Sequence, residues 1–257
     1  MGTSNLLPCH LNSAPLLATK PDVSLKSFTR KGHPMQPSLK EQWTGPGGHK
    51  AHSADSQNRI ENAYKCLRIL KETTDFTRVA DFGCGIGGWL AAAQLLGATE
   101  IQGFEGQWIA DAETVVPKDR IRISNLAEEV LDLKKRFDLA ITIEVAEHLP
   151  EKAADGFVST LASASDRILF SAAIPKQGGI GHINEQPLVY WITKFWQLRF
   201  VPLEMLRPYI AADRSIYPWL RQNLVMFVSY DLFIRSPKLH AFARPLTDFN
   251  FVYPCPN

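Results

Sequence analysis

Val79-Ala-Asp81-Phe-Gly83-Cys84-Gly85-Ile-Gly87-Gly88-Trp89-Leu90 passes from an apolar segment through four glycines in six positions into an alanine- and leucine-rich run that ends at Gly97. The order reads as a strand, a glycine-rich turn and a helix. Without a Cβ, glycine backbone can adopt positive φ and come close to a ligand. The helix that follows turns its unpaired N–H groups back on the same point. A small polar ligand is expected there.

Two ligand classes use such a turn. Gly83, Gly85 and Gly88 satisfy G-x-G-x-x-G, the dinucleotide fingerprint. Asp81, two positions before the first glycine, discriminates between them. A carboxylate beside a pyrophosphate repels it, whereas S-adenosylmethionine (SAM) carries an ammonium, a sulfonium and no phosphate. The acid therefore favours SAM over NAD. The pattern formed by Asp81, Gly83, Gly85 and Gly87 resembles motif I of the class I SAM-dependent methyltransferases.

Length and composition set the frame around this motif. The 257 residues suit one domain of about 200 residues with an extension, and 45% apolar content is ample for a core. A net charge of +2, with both signs interspersed, argues against a dedicated nucleic-acid surface. Cys9, Cys66, Cys84 and Cys255 are far apart and form no C-x-x-C pair, which reads as free thiols in a reducing compartment. Cys84 reads as a small residue that fits the turn. No apolar run approaches the ~20 residues that span a bilayer. Recurrent prolines from Pro8 to Pro46 and an excess of lysine mark residues 1–55 as a flexible extension, with an organelle transit peptide as the alternative.

Outward from the motif, strands and helices alternate. Ser53 or Asp55 is expected to cap a helix with an apolar stripe of Ile60, Tyr64, Leu67 and Leu70. Downstream, strands are expected at 100–104, 120–123, 137–145 and 167–174. Helices are expected at 107–116, from Ala127, and at 151–164. The 137–145 strand is almost continuously apolar, as when both faces are covered. Such alternation implies right-handed βαβ units and a parallel sheet, whose ligands bind outside the carboxyl ends of the strands.

Candidate site residues stand at those ends. Glu105 closes the second strand, where a carboxylate suits the ribose hydroxyls of either cofactor. By the resemblance, Asn125 after the third strand would pair the adenine amino edge and Leu126 would cover its ring. Glu144-Val-Ala-Glu147-His148-Leu-Pro150 resembles the Glu-Val-x-Glu-His segment after the fourth strand of many of these methyltransferases. That implies Glu144 under the methionine part of SAM and His148 facing the methyl-transfer region. The same letters resemble the divalent-metal motif of small-RNA 2′-O-methyltransferases and ubiquinone-pathway O-methyltransferases. In that alternative Glu144, Glu147, His148 and His182 would gather a metal; the favoured expectation is no metal, with His148 and His182 as base candidates.

Pro175-Lys-Gln-Gly178-Gly179-Ile-Gly181-His182-Ile-Asn184-Glu185-Gln186-Pro187 follows the fifth strand. Three glycines in four positions suggest a mobile acceptor-binding lid, and His182 its functional group. Asn184 reads equally as an acceptor contact or as the cap of a helix from Glu185. In the C-terminal third, aromatics such as Trp191, Phe195, Phe200, Tyr217 and Trp219 read mostly as core, with one or two free to wall an acceptor pocket. Residues 224–232 read as a last, antiparallel strand.

The resemblance spans about residues 56–235, leaving 236–257 as a tail. It implies a doubly wound α/β fold, a mostly parallel seven-stranded sheet of the Rossmann-like methyltransferase type with an antiparallel last strand. Asp81, Gly83, Gly85, Glu105, Asn125, Leu126 and Glu144 are the expected cofactor residues. The implied activity is cytoplasmic methyl transfer from SAM to an oxygen or nitrogen of a small-molecule acceptor, without nucleic acid or membrane. Two rivals stay open: an NAD-dependent oxidoreductase, and a methyltransferase-like domain that binds SAM without catalysis. The oligomeric state is not legible.

Overall fold

The structure, a computed structural model, describes residues 54–131, 133 and 137–250. The arm expected over 1–55 lies outside this range except for its last two residues, which open helix α1 (Ala54–Lys71). Asp55 therefore sits inside the helix rather than capping it, and Ser53 is outside the described residues. The predicted stripe does bury: Ile60, Leu67 and Leu70 are core side chains and Tyr64 packs at their margin. The helix stops where the hydroxyls of Thr73 and Thr74 donate to the Leu70 carbonyl.

Seven strands follow: β1 (Arg78–Phe82), β2 (Glu100–Glu105), β3 (Ile121–Ile123), β4 (Leu139–Ile143), β5 (Arg167–Ser171), β6 (Phe200–Leu203) and β7 (Val225–Ser229). They lie in the order β3-β2-β1-β4-β5-β7-β6, with β7 antiparallel to both its neighbours and every other pairing parallel. This is the doubly wound sheet with an antiparallel last strand expected from the sequence.

Successive strand residues point to opposite faces, and the core divides accordingly. Val79, Leu139, Ile141 and Leu169 face α1 and α2 (Gly88–Leu95). Ala80, Ala140, Ile168 and Phe170 face α3 (Ala154–Ala164) and α4 (Leu188–Gln197). The second layer is aromatic: the rings of Phe195 and Phe227 stack at 4.1 Å, and Trp191 packs on Phe170 at 5.4 Å. Asp138 registers the two central strands at their entry. Its Oδ2 accepts from the N–H groups of Thr77 and Arg78 at 3.0 and 2.9 Å, and Oδ1 accepts from Arg78 Nη2 at 2.8 Å.

Several elements differ from expectation. Only a 3-10 turn, Gln107–Ala110, forms where a helix to Val116 was expected. The Val115 N–H instead bonds the Ile86 carbonyl at 2.9 Å, drawing the segment extended across the glycine turn. After β3, a bend at Ser124–Glu129 replaces the start of a helix, because Glu129 takes the Ser124 hydroxyl and the Asn125 N–H. The last strand ends at Ser229, whose hydroxyl caps α7 (Tyr230–Arg235) by accepting from the Leu232 N–H. Two further short helices, α5 (Arg207–Ile210) and α6 (Pro218–Asn223), lead into β7, and α8 (Pro237–His240) follows α7. The described part of the expected tail packs into this domain, burying Leu239 and Phe249. Among the described residues no helix is long and apolar enough to cross a membrane.

Candidate functional site

The strand order reverses between β1 and β4, which places a crevice outside their carboxyl ends. A cleft of about 450 Å³ opens there, lined by Gly83 and Gly85 after β1 and by Glu144 at the end of β4. Gly83 has φ +76°, and a Cβ on it would lie 2.3 Å from Val145 Cγ2. Only glycine lets the turn pass so close to the β4 loop. Helix α1 contributes Arg59 and Asn62 to the wall. Asn62 accepts from the Tyr217 N–H at 2.7 Å, fastening α1 to the segment that carries Trp219.

The acids beneath the turn are poorly neutralised. Asp81 is buried, and its Oδ2 has no hydrogen-bond partner. Burial, and then the charge of Glu105, raise its carboxyl well above the usual range. Glu105 Oε2 accepts from the Gly85 N–H at 2.6 Å, while Oε1 accepts from the Gly106 N–H and Trp108 Nε1 at 2.8 and 3.1 Å. Cys84 is buried in the turn, in room left by Gly103. Burial first, then the charges of Asp81 and Glu105, push its thiol up, so it is an inert filler as expected.

Glu144 has φ +54°, a left-handed conformation that costs a non-glycine residue about 1 kcal/mol or more. Its N–H donates to the Ser171 carbonyl at 3.0 Å. Its carboxylate accepts from Gln177 Nε2 at 2.8 Å and Asn223 Nδ2 at 3.2 Å, and Asn223 also donates to Gln177 Oε1 at 2.8 Å. Gln177 and Asn223 were not among the sequence candidates. Their partners lie 33 and 79 residues away in the chain, and nothing local signals the contact.

Glu147 is fully buried, and neither carboxylate oxygen finds a hydrogen-bond partner. Burial, and then the charge of Glu144, raise its carboxyl to about 8. Across from it stand the two predicted histidines, their rings 4.9 Å apart and nearly perpendicular. His148 Nδ1 meets the Gly181 carbonyl at 3.2 Å, and His182 Nδ1 meets Glu185 Oε1 at 2.8 Å. One ligand atom each from Glu147, His148 and His182 falls within 4.8 Å of the others, a set that could hold a metal ion. Glu144, the fourth residue of that alternative, is engaged elsewhere.

The glycine loop is tied back to the turn after β4. The N–H groups of Ile183 and Asn184 donate to the Glu147 carbonyl at 2.9 and 3.0 Å. Asn184 caps nothing: α4 begins at Leu188 behind Pro187, and the Asn184 side chain accepts from Gln186. The structure thus brings Gly83, Gly85, Glu144, His148 and His182 into one cleft. Asn125 is exposed and its Oδ1 accepts from the Ala127 N–H at 3.1 Å, while Leu126 is buried in the second core layer.

No family model and no curated protein matches the chain. Among solved structures, it is similar to the methyltransferase domain of bacterial CtHen1-C, with 19% identity over 67% of this chain and 97% of that one, at a TM-score of 0.46. Magnesium protoporphyrin IX methyltransferase (ChlM) from Synechocystis PCC 6803 with bound SAM shares 18% identity over 81% and 92%, at 0.43. The glycopeptide N-methyltransferase MtfA complexed with SAM shares 13% over 65% and 92%, at 0.42. At such distances the strand order itself carries the fold assignment.

Proposed function

We propose that the chain is a SAM-dependent methyltransferase acting on an oxygen or nitrogen of a small-molecule acceptor. The observation that carries this reading is the pair of acids set beneath the glycine turn that lines the cleft. Asp81, with an unpaired buried oxygen, and Glu105 lie under a glycine turn where a pyrophosphate would need positive charge. A cationic cofactor on the turn would favour the ionised form of these acids, whereas a pyrophosphate would oppose it.

The backbone of Gly83–Gly85 would bind the cofactor, with Glu105 as acceptor for its ribose hydroxyls. Asn125 and Leu126 would serve the adenine, and Glu144 the methionine part. When bound, SAM supplies an electrophilic methyl on a positively charged sulfur. The protein's task is then alignment, exclusion of water and removal of a proton from the acceptor. His148 and His182 are the candidate bases: each has its Nδ1 engaged, leaving Nε2 to receive the acceptor's proton. The test of the cofactor is calorimetric titration with SAM and, in parallel, NADH, on wild type and Asp81→Ala.

One observation favours a second reading of the histidines. Two imidazoles with engaged Nδ1 atoms beside a buried carboxylate with two unpaired oxygens also fit a divalent ion, which would lower the pKa of an acceptor hydroxyl. Elemental analysis of the purified protein decides between the two. About one divalent ion per chain, lost in Glu147→Gln, would support the metal. Metal-free protein whose SAM turnover is unchanged by chelator would support the histidine bases.

A further inference from the structure

We propose that Glu185 is a positioning residue, whose carboxylate orients the His182 imidazole so that Nε2 is the nitrogen left bare toward the site. This rests on the methyltransferase reading above but not on whether His182 acts as base or metal ligand. Glu185 was not among the sequence candidates.

The chemistry of the contact assigns the tautomer. An ionised carboxylate only accepts, so the His182 Nδ1 that lies 2.8 Å from Glu185 Oε1 must carry a hydrogen. The hydrogen bond from His182, aided by those from two backbone N–H groups, holds the Glu185 carboxyl below its ordinary value, so it stays ionised. Those two groups close the loop on the same side chain. Gly178 N–H donates to Oε1 and Lys176 N–H to Oε2, both at 2.8 Å. Lys176 sits at φ +73°, a strain of about 1 kcal/mol that these bonds offset.

The opposite edge of the ring is turned to the cleft past a glycine. A Cβ on Gly179 would lie 2.3 Å from His182 Nε2, so only glycine fits against that edge without driving the ring aside. Nε2 then faces Glu147 Oε1 at 4.0 Å, with the His148 ring alongside. A loop needing closure alone could use any acceptor for its N–H groups. This one shares a single carboxylate oxygen between the loop and the imidazole, and it leaves out the one Cβ that would block the ring.

The test is a long-range ¹⁵N–¹H correlation spectrum of the full chain at about pH 9, where imidazole is neutral, with His182 assigned from His182→Ala. Wild type is expected to show Nδ1–H. Glu185→Ala should move the ring to majority Nε2–H, and Glu185→Gln, which keeps a carbonyl acceptor, should restore Nδ1–H. Wild type showing Nε2–H, or Glu185→Ala retaining Nδ1–H, would overturn the proposal. If Glu185→Ala does not fold, the wild-type spectrum still decides. SAM titration of the same samples separates the two levels: absent SAM binding with the expected tautomers counts against the methyltransferase reading and leaves the Glu185 contact standing.

Discussion

Glu147→Gln is expected to stabilise the metal-free protein, with a gain that grows as pH rises. The carboxyl is raised to about 8 in the fold, by burial first and then by Glu144, against an ordinary value of 4.5. Between those values the folded chain holds a proton that the unfolded chain has released. Stability therefore falls as pH rises through this window, and is fully present only below it. A neutral amide removes the dependence and retains a donor and an acceptor able to pair with water. We expect a gain of about 2 kcal/mol at about pH 9, roughly 4–8 °C in melting temperature, shrinking toward zero near pH 5. Thermal melts across that range check it. A destabilised variant at every pH would show that Glu147 is satisfied as a carboxylate in the working protein. A buried acid with no hydrogen-bond partner is a cost to the fold, and its place behind the two histidines that line the cleft gives that cost a functional reason.

Gly83→Ala is expected to lose both stability and cofactor binding. Its Cβ would enter Val145 at 2.3 Å, with φ held at +76°. Valine is stiff about χ1 and cannot swing aside cheaply. The left-handed backbone adds about 1–2 kcal/mol and the overlap about 1–3 kcal/mol, together roughly 3 kcal/mol. Relief would come from lifting the turn off the β4 loop, which deforms the cleft where Gly83 and Glu144 meet. Urea unfolding and SAM titration should report the two losses together. Wild-type affinity in this variant would separate the turn's geometry from ligand binding.

What was legible in the sequence had a physical signature of its own. The Phe137–Val145 run announced a strand covered on both faces, and Leu139, Ala140 and Ile141 are buried accordingly. The glycine turn showed itself because positive φ leaves few alternatives to glycine. Strand β6 was missed because it is four residues long and contains Pro202. Proline is tolerated there only because the strand is at the sheet's edge, a fact set by tertiary pairing. The expected helix at 107–116 failed for a similar reason: its backbone is claimed by Ile86 across the turn. In the site, His148 and His182 could be picked out by residue type. The orientation of His148 depends on the Gly181 carbonyl, that of His182 on Glu185 and Gly179, and that of Glu144 on Gln177 and Asn223, ordinary polar and small residues whose roles arise only when the loop folds back.

The central claim is that this cleft takes a cationic sulfonium cofactor rather than a dinucleotide. Calorimetric titration of wild type and Asp81→Ala with SAM and NADH tests it most directly. The expected result is micromolar SAM affinity in wild type, weakened by about tenfold in Asp81→Ala, and no heat with NADH. NADH binding that improves when Asp81 is removed would contradict it and make the glycine turn a pyrophosphate site.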